Sequence, residues 1–113
     1  FQKQTAGRLS TSQVSQLRDY IESNLNNDIC LDDLAQLVQL SRFHLARRFK
    51  ASFGAPPHQY ITARRVEFAK NLLRESTLSV GEVASTTGFA SVGAFIKSFR
   101  QHLGTTPAVF RRT

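Results

Sequence analysis

The sequence contains no Met and no Trp, a single Cys, and only three His among its 113 residues. The lone cysteine, Cys30, excludes an internal disulfide and is typical of a reducing compartment. His44, His58 and His102 lie far apart, and none has a second ligand at helical i,i+4 spacing, so no metal site is indicated. A nucleophile elbow and a glycine-rich phosphate loop are missing as well. These absences predict a protein that is not an enzyme and that binds no cofactor.

Long apolar runs are also missing. No run approaches the ~18 residues of a membrane span, and the first residues lack the basic-then-apolar pattern of a secretion signal. We therefore expect no membrane association. The chain opens on Phe1 and contains no Met, which indicates a fragment of a longer protein or a processed one. Its length suits one domain or two very small ones.

Acidic residues are scarce in the later part of the chain. Residues 1–40 hold three basic and five acidic residues, a net charge of −2, whereas residues 41–113 hold twelve basic and three acidic, a net charge of +9. This asymmetry indicates a polyanionic partner for the later part. A basic surface that serves only solubility is the alternative that charge alone leaves open.

Helix formers dominate and strand-like alternation is rare, so the pattern predicts an all-α protein with seven helices. Gly54 and Gly104 are the predicted helix stops. The predicted N-caps are Thr11 or Ser12, Ser41, Ser79 with Glu82 as a capping box, Ser91 and Thr106. The predicted helices span about 13–25, 31–38, 41–53, 57–75, 80–86, 91–103 and 107–112. The fourth is about 28 Å long at 1.5 Å per residue.

The same pattern occurs twice. Leu34 and Ala35 match Val83 and Ala84 at an offset of 49, and the offset becomes 50 from Ser41 onwards, so the second copy has one extra residue in its turn. A short helix, a turn and a capped second helix, made twice, predict a doubled helix-turn-helix, with a purely structural hairpin as the alternative. The predicted organisation is a linker at 1–12, a first subdomain at 13–56 (motif 31–53), a linker helix at 57–75 and a second subdomain at 76–113 (motif 80–103).

Both capped helices carry cations opposite their apolar side. On a helical wheel Leu45, Phe49 and Phe53 define the core side of the first, while Phe43, Arg47 and Lys50 lie almost opposite. In the second helix the same outward positions hold Gly93, Lys97 and Arg100. A helix fits the major groove of DNA, where Arg or Lys can donate to guanine O6 and N7. The repeated cations therefore favour base contacts over a merely solvated face.

Helix starts supply a second set of candidate contacts. The hydroxyls and unpaired N–H groups at Ser41 and Ser91 can bind DNA phosphates, and Thr106 can do likewise. Arg42 lies nearer the core side, which suggests a phosphate contact or plain solvation. The cations of the long helix, Arg65 among them, are expected to be mostly solvated.

A family resemblance rests on LDDLAQLVQLSRFHLARRFKASFG at Leu31–Gly54, on the helix from Pro57, and on VGEVASTTGFASVGAFIKSFRQHLGTTPAVFRR at Val80–Arg112. About residues 13–112 resemble the DNA-binding domain of the AraC/XylS family of bacterial transcription regulators. The resemblance implies promoter binding, with recognition helices 41–53 and 91–103 in successive major grooves. It also implies a cytoplasmic, nucleoid-associated protein, RNA polymerase as a further partner, and a separate effector-binding or dimerisation domain outside this fragment.

The family's base-contacting positions fall on Phe43, Ala46 and Arg47 in the first motif, and they fall on Gly93, Ile96 and Lys97 in the second. Because Gly93 has no side chain and Ile96 cannot hydrogen-bond, we expect the first motif to dominate base specificity. A protein-interaction module would need an apolar exposed face instead of repeated cations. A DNA-repair enzyme would need a catalytic cysteine or a metal cluster, and the sequence indicates neither.

Overall fold

A computed structural model describes residues 7–113 of the chain and contains seven α-helices and no strand within them. The all-α prediction is therefore confirmed, and most helix limits agree with the cap and stop signals. The helices are α1 Thr11–Ser23, α2 Leu31–Leu37, α3 Arg42–Phe53, α4 Pro57–Glu75, α5 Val80–Thr86, α6 Val92–Leu103 and α7 Pro107–Arg112.

The beginning of α1 corrects a prediction. Ser10, and not Thr11 or Ser12, is the N-cap, because its Oγ accepts from the Gln13 N–H at 3.1 Å while Gln13 Oε1 accepts from the Ser10 N–H at 2.9 Å. Residues 1–6 of the predicted linker lie outside the described part of the chain. Leu9, which the linker prediction included, is buried and donates its N–H to Ser52 Oγ at 2.8 Å.

The far end of α1 also differs from expectation. The helix ends at Ser23, with Asn24 as its C-cap, two residues before the predicted limit at about residue 25. The Asn24 side chain donates to Tyr20 O at 2.8 Å. This bond satisfies one of the helix's last carbonyls and ends the helix earlier.

The chain forms two compact units. Of the described residues, the first comprises 7–24 together with Asp28–Ile61, and the second comprises Leu25–Asn27 with Thr62–Thr113. The long helix α4 contributes to both, since Ile61 is buried in the first unit while its later turns bury residues in the second. Whether 57–75 acts as a separate linker stays a prediction. The second unit's core consists of Val66, Ala69, Leu73, Val83, Ala84, Phe95 and Phe99.

The turns of the two motifs have the same backbone hydrogen bonds. Leu40 N–H donates to Ala35 O at 2.9 Å, and Phe89 N–H donates to Ala84 O at 3.0 Å. These bonds are the six-residue closure that ends a helix in a Schellman motif. The equivalent residues Leu40 and Phe89 are thus still 49 apart, whereas Ser41 and Ser91 are 50 apart. The extra residue of the second copy is therefore Ala90.

The residue before each closure has a positive φ. In the first motif it is Gln39, at φ 58°, and in the second it is Gly88, at φ 89°. Gly88 also allows a close approach, because a Cβ there would lie 2.0 Å from Leu25 O and 2.8 Å from Arg65 Nε. Only glycine fits this position without displacing backbone.

Candidate nucleic-acid interface

The two predicted recognition helices, α3 and α6, bury and expose the same positions. Leu45 and Phe49 are fully buried in α3, as are Phe95 and Phe99 in α6. Aromatic contacts hold each inner side, with Phe49 and Phe53 stacked at 4.0 Å and Phe99 edge-on to Phe110 at 5.4 Å between ring centroids. The opposite face is exposed at Phe43, Arg47, Lys50, Gly93, Lys97 and Arg100. The outward orientation of these six residues is confirmed, and their contact with DNA stays a prediction.

The outward face of α3 carries an aromatic ring and a cluster of nitrogen donors. Phe43 is 67% exposed, and the Arg47 guanidinium lies over its ring at 5.6 Å from the centroid. Ala46, the third family position, is half-buried between the two faces. A depression of about 460 Å³ is lined by Gly7, His44, Arg47, Arg48 and Lys50. The site thus combines a π surface with several cations.

The outward face of α6 is a depression that presents fewer side chains than the outward face of α3. A Cβ on Gly93 would meet nothing nearer than Ser91 Oγ at 3.9 Å. Ile96 is half-buried beside the exposed cations. The predicted base-contact residues share one depression of about 560 Å³, lined by Gly93, Ile96, Lys97, Arg100, Gln101 and Gly104. The structure therefore brings together all four predicted residues of the second motif.

The predicted phosphate contacts are all helix-start residues. Ser41 Oγ accepts from the His44 N–H at 3.1 Å, Ser91 Oγ accepts from the Ala94 N–H at 3.0 Å, and Thr106 Oγ1 accepts from the Val109 N–H at 3.2 Å. All three hydroxyl oxygens thus act as caps. Arg42 behaves differently, because its Nε lies 3.3 Å from Asp32 Oδ1 in an exposed ion pair. That pair leaves the outer nitrogens of the Arg42 guanidinium for a phosphate.

Two arginines act inside the second unit instead of facing a ligand. Arg65 was expected to be mostly solvated, but it donates from Nε to Leu25 O at 3.0 Å and from Nη2 to Asn27 O at 2.7 Å. Arg111 makes an analogous pair of bonds, to Leu73 O at 3.1 Å and to Ser76 O at 3.4 Å. Both bind carbonyls just at or beyond a helix C-terminus. No local signal reveals these bonds, because the partners are 35–40 residues away.

The start of α5 carries a carboxyl group with a lowered pKa, Glu82, which is not one of the predicted DNA-contact residues. The Ser79 backbone N–H, which lies 2.8 Å from Glu82 Oε1, lowers the pKa of Glu82, and the Ser79 side chain lowers that pKa further. Both bonds favour the ionised form. The predicted capping box is therefore confirmed, with Glu82 as its charged member.

Within residues 7–113, no helix is both long and apolar enough to cross a membrane. In the same range, no group of three His, Cys, Asp or Glu side chains is placed to hold a metal ion.

Comparison with known proteins gives one consistent family. A helix-turn-helix domain family matches residues 34–113. The HTH-type transcriptional activator AarP of Providencia stuartii is 35% identical over 104 residues, which are 92% of this chain and 77% of that protein. Other matched regulators are far longer: this chain covers 14% of an uncharacterized one from Staphylococcus aureus strain COL.

Solved structures agree with this result. The DNA-binding domain of AdpA, described as a global transcriptional factor in complex with a target DNA, superposes with a TM-score of 0.84 at 34% identity, covering 91% of this chain and 92% of that one. An AraC-type regulator from Chromobacterium violaceum superposes with a TM-score of 0.83 at 29% identity, covering 89% and 90%.

Proposed function

The chain belongs to the AraC-type helix-turn-helix family of bacterial transcription regulators, and on that premise we propose that it binds promoter DNA through α3 and α6. The observation that carries this proposal is the duplicated outward face: Arg47 and Lys50 recur as Lys97 and Arg100 over equivalent buried aromatics. If the two faces were only solvated, nothing would require cations at equivalent positions. The family is one of regulators, which agrees with the prediction that the chain is not an enzyme.

The proposed binding mode places the two helices in successive major grooves. The AdpA domain, which matches over nearly its whole length, was solved with a target DNA. Most single helix-turn-helix proteins dimerise to present two helices about one DNA turn, ~34 Å, apart. A chain with two motifs connected through a 19-residue helix can supply both by itself. The half-sites would then differ in sequence, because the outward faces of α3 and α6 differ.

Base reading is assigned mainly to α3. Arg47 and Lys50 supply donors for guanine O6 and N7, and Phe43 with Ala46 supplies apolar contact for thymine methyl groups. In α6 the donors are Lys97 and Arg100, with Ile96 as an apolar contact and Gly93 contributing no side chain. Arg42, Ser41, Ser91 and Thr106 are assigned to phosphates, which fix register and carry no sequence information.

The rest of the regulator is proposed from the same family membership. We assign the chain to the bacterial cytoplasm, at the nucleoid, where promoters lie. RNA polymerase is the natural second partner of a protein that acts on transcription. Because matched regulators extend far beyond this domain, an effector-binding or dimerisation domain is proposed for the complete protein.

Selection of bound sequences from random DNA tests this function. The chain should enrich one asymmetric site, and binding to it should fall steeply with salt because several phosphates are neutralised. Arg47→Ala should lose ~1–3 kcal/mol on that site and accept other bases at one position. Unselective enrichment, or binding that does not change with salt, would contradict the proposal and favour a protein-interaction role.

A further inference from the structure

The hydroxyl of Ser41 is occupied by a single neighbour, His44. Its oxygen accepts from the His44 backbone N–H at 3.1 Å and also lies 3.1 Å from the ring atom Nδ1. A serine hydroxyl has one hydrogen. When that hydrogen is donated to Nδ1, none remains for a DNA phosphate. The direct phosphate contact assigned to Ser41 therefore competes with a contact inside the protein.

The same hydrogen bond determines what the imidazole offers to a ligand. A neutral ring that accepts at Nδ1 carries its proton on Nε2, and a doubly protonated ring donates from both nitrogens. Nε2 is thus a donor in both states. The remaining tautomer would present a lone pair at Nε2, which a phosphate oxygen repels. A phosphate therefore selects the forms in which Nε2–H donates.

The surroundings of His44 suit an anion. The side chain is exposed, and its ring packs edge-on against Phe43, with centroids 5.9 Å apart. It lines the same depression as Arg47, Arg48 and Lys50, and none of the described residues of that lining is acidic. His44 adds a hydrogen-bond donor with fixed orientation to a group of longer, flexible cations.

We propose, on the basis of the DNA-binding function above, that His44 Nε2–H donates to a DNA phosphate beside the first half-site, and that Ser41 is its positioning residue. The second motif lacks this arrangement, because Ala94 replaces the histidine. Among the described residues, no acceptor takes the hydroxyl hydrogen of Ser91, so Ser91 keeps its own phosphate contact. The two motifs then hold the DNA backbone by different groups at equivalent positions.

Single-phosphate neutralisation tests this assignment. The selected operator is prepared with one uncharged methylphosphonate at each backbone position of the first half-site in turn, and binding is measured for the parent chain and for His44→Ala. The parent should lose affinity at each contacted phosphate, and at the one that His44 contacts the loss should be about tenfold, the size expected for one hydrogen bond to a charged group. His44→Ala should lose about as much on the unmodified operator and then be insensitive to neutralisation at that position.

Further variants separate positioning from folding. His44→Gln, whose amide nitrogen can take the place of Nε2, should restore part of the affinity and the sensitivity at the same phosphate. Ser41→Ala should reduce that sensitivity, a change that loss of a helix cap alone does not cause. His102→Ala is the matched control, because this exposed histidine bonds through Nδ1 to Ser98 O at 2.9 Å near the end of α6, and it should leave the neutralisation profile unchanged.

The outcomes distinguish this inference from the proposed function. If the parent chain selects no DNA sequence, the proposed function fails. If the parent selects a site but His44→Ala binds it equally well, or keeps the parent's sensitivity at every phosphate, only the assignment of His44 is overturned.

Discussion

The guanidinium of Arg47 lies 5.6 Å from the ring centroid of Phe43, on the outward face of α3. A cation held over an aromatic face loses less freedom when it binds, and the planar guanidinium keeps its donors in fixed directions. The second motif has no counterpart, because Lys97 is a flexible ammonium and Gly93 carries no ring. The two halves should therefore differ in how strictly they read bases.

Removing the ring of Phe43 should weaken base recognition by α3 while the charge of Arg47 is kept. Phe43→Leu keeps Arg47 but takes away the surface on which it rests, so we expect a loss of ~0.5–1 kcal/mol at an exposed cation–π site. Binding measured on the selected operator and on its single-base variants checks this. Lys97→Ala is the comparison, and it should weaken binding with little change in base preference. A larger change in preference from Lys97→Ala would reverse the ranking of the two motifs.

Because Gly93 has no side chain, the base preference of the first motif can be transferred to α6. Because a side chain at Gly93 meets open space, the double variant Gly93→Phe, Lys97→Arg should fold and present the first motif's ring and guanidinium. We expect a stronger preference at one base of the second half-site, worth ~1–3 kcal/mol. Gly93→Ala is the control and should only stabilise the helix, by up to about 1 kcal/mol. If the double variant and Gly93→Ala show equal base preference, the role given to the Phe43–Arg47 pair is wrong.

Gly88 should be the least replaceable glycine in a turn. Gly88→Ala places a Cβ 2.0 Å from Leu25 O at a positive φ, and we expect a loss of more than about 2 kcal/mol of unfolding free energy. Gly54→Ala has a similar φ of 83° with nothing within 4 Å, so it should cost only ~1–2 kcal/mol. Urea unfolding of both variants measures the difference. Equal losses would show that the contact with Leu25 O has no energetic weight.

The capping box at α5 should make stability sensitive to acid. The pKa of Glu82 is lowered in the folded state, so its contribution is present above the unfolded value of 4.5 and is lost as pH falls through the lower folded value. Glu82→Gln should be less stable than the parent at neutral pH and should approach it in acid. Thermal unfolding between pH 7 and pH 3 checks this.

The box at α1 provides the matched control for that measurement. The residue at its N3 position is the neutral Gln13, and Gln13→Glu should introduce the same acid sensitivity there. A constant difference between parent and Glu82→Gln at all pH values would show that the charge of Glu82 does not matter.

Much of the fold could be predicted because its signals are local. Ser79 with Glu82, Ser91 and the Thr106–Pro107 pair each define a helix start within four residues, and the structure begins α5, α6 and α7 at those caps. Ser10 was missed although Ser10 and Gln13 also have capping-box spacing. The outward face followed from helical periodicity, since the buried aromatics fix the rotation of each helix.

The unpredicted features depend on contacts between distant segments. The position of Arg65 on α4 predicts a mostly solvated side chain, because it does not reveal the carbonyl of Leu25, 40 residues earlier. Likewise, the glycine requirement at Gly88 comes from that same carbonyl, and Gln39 tolerates a similar φ without it. Hydrogen bonding of Ser41 to His44 could have been suspected from their spacing, but its effect on phosphate binding needs the ring geometry.

One chain is proposed to bind two major grooves, and methylation protection on the selected operator measures this at individual bases. Guanine N7 lies in the major groove, so each bound helix should protect its own cluster of guanines. We predict two clusters centred about 10 base pairs apart at one chain per DNA. Arg47→Ala with Lys50→Ala should remove one cluster, and Lys97→Ala with Arg100→Ala the other. A single cluster, or two clusters that require two chains, would contradict the binding of two grooves by one chain.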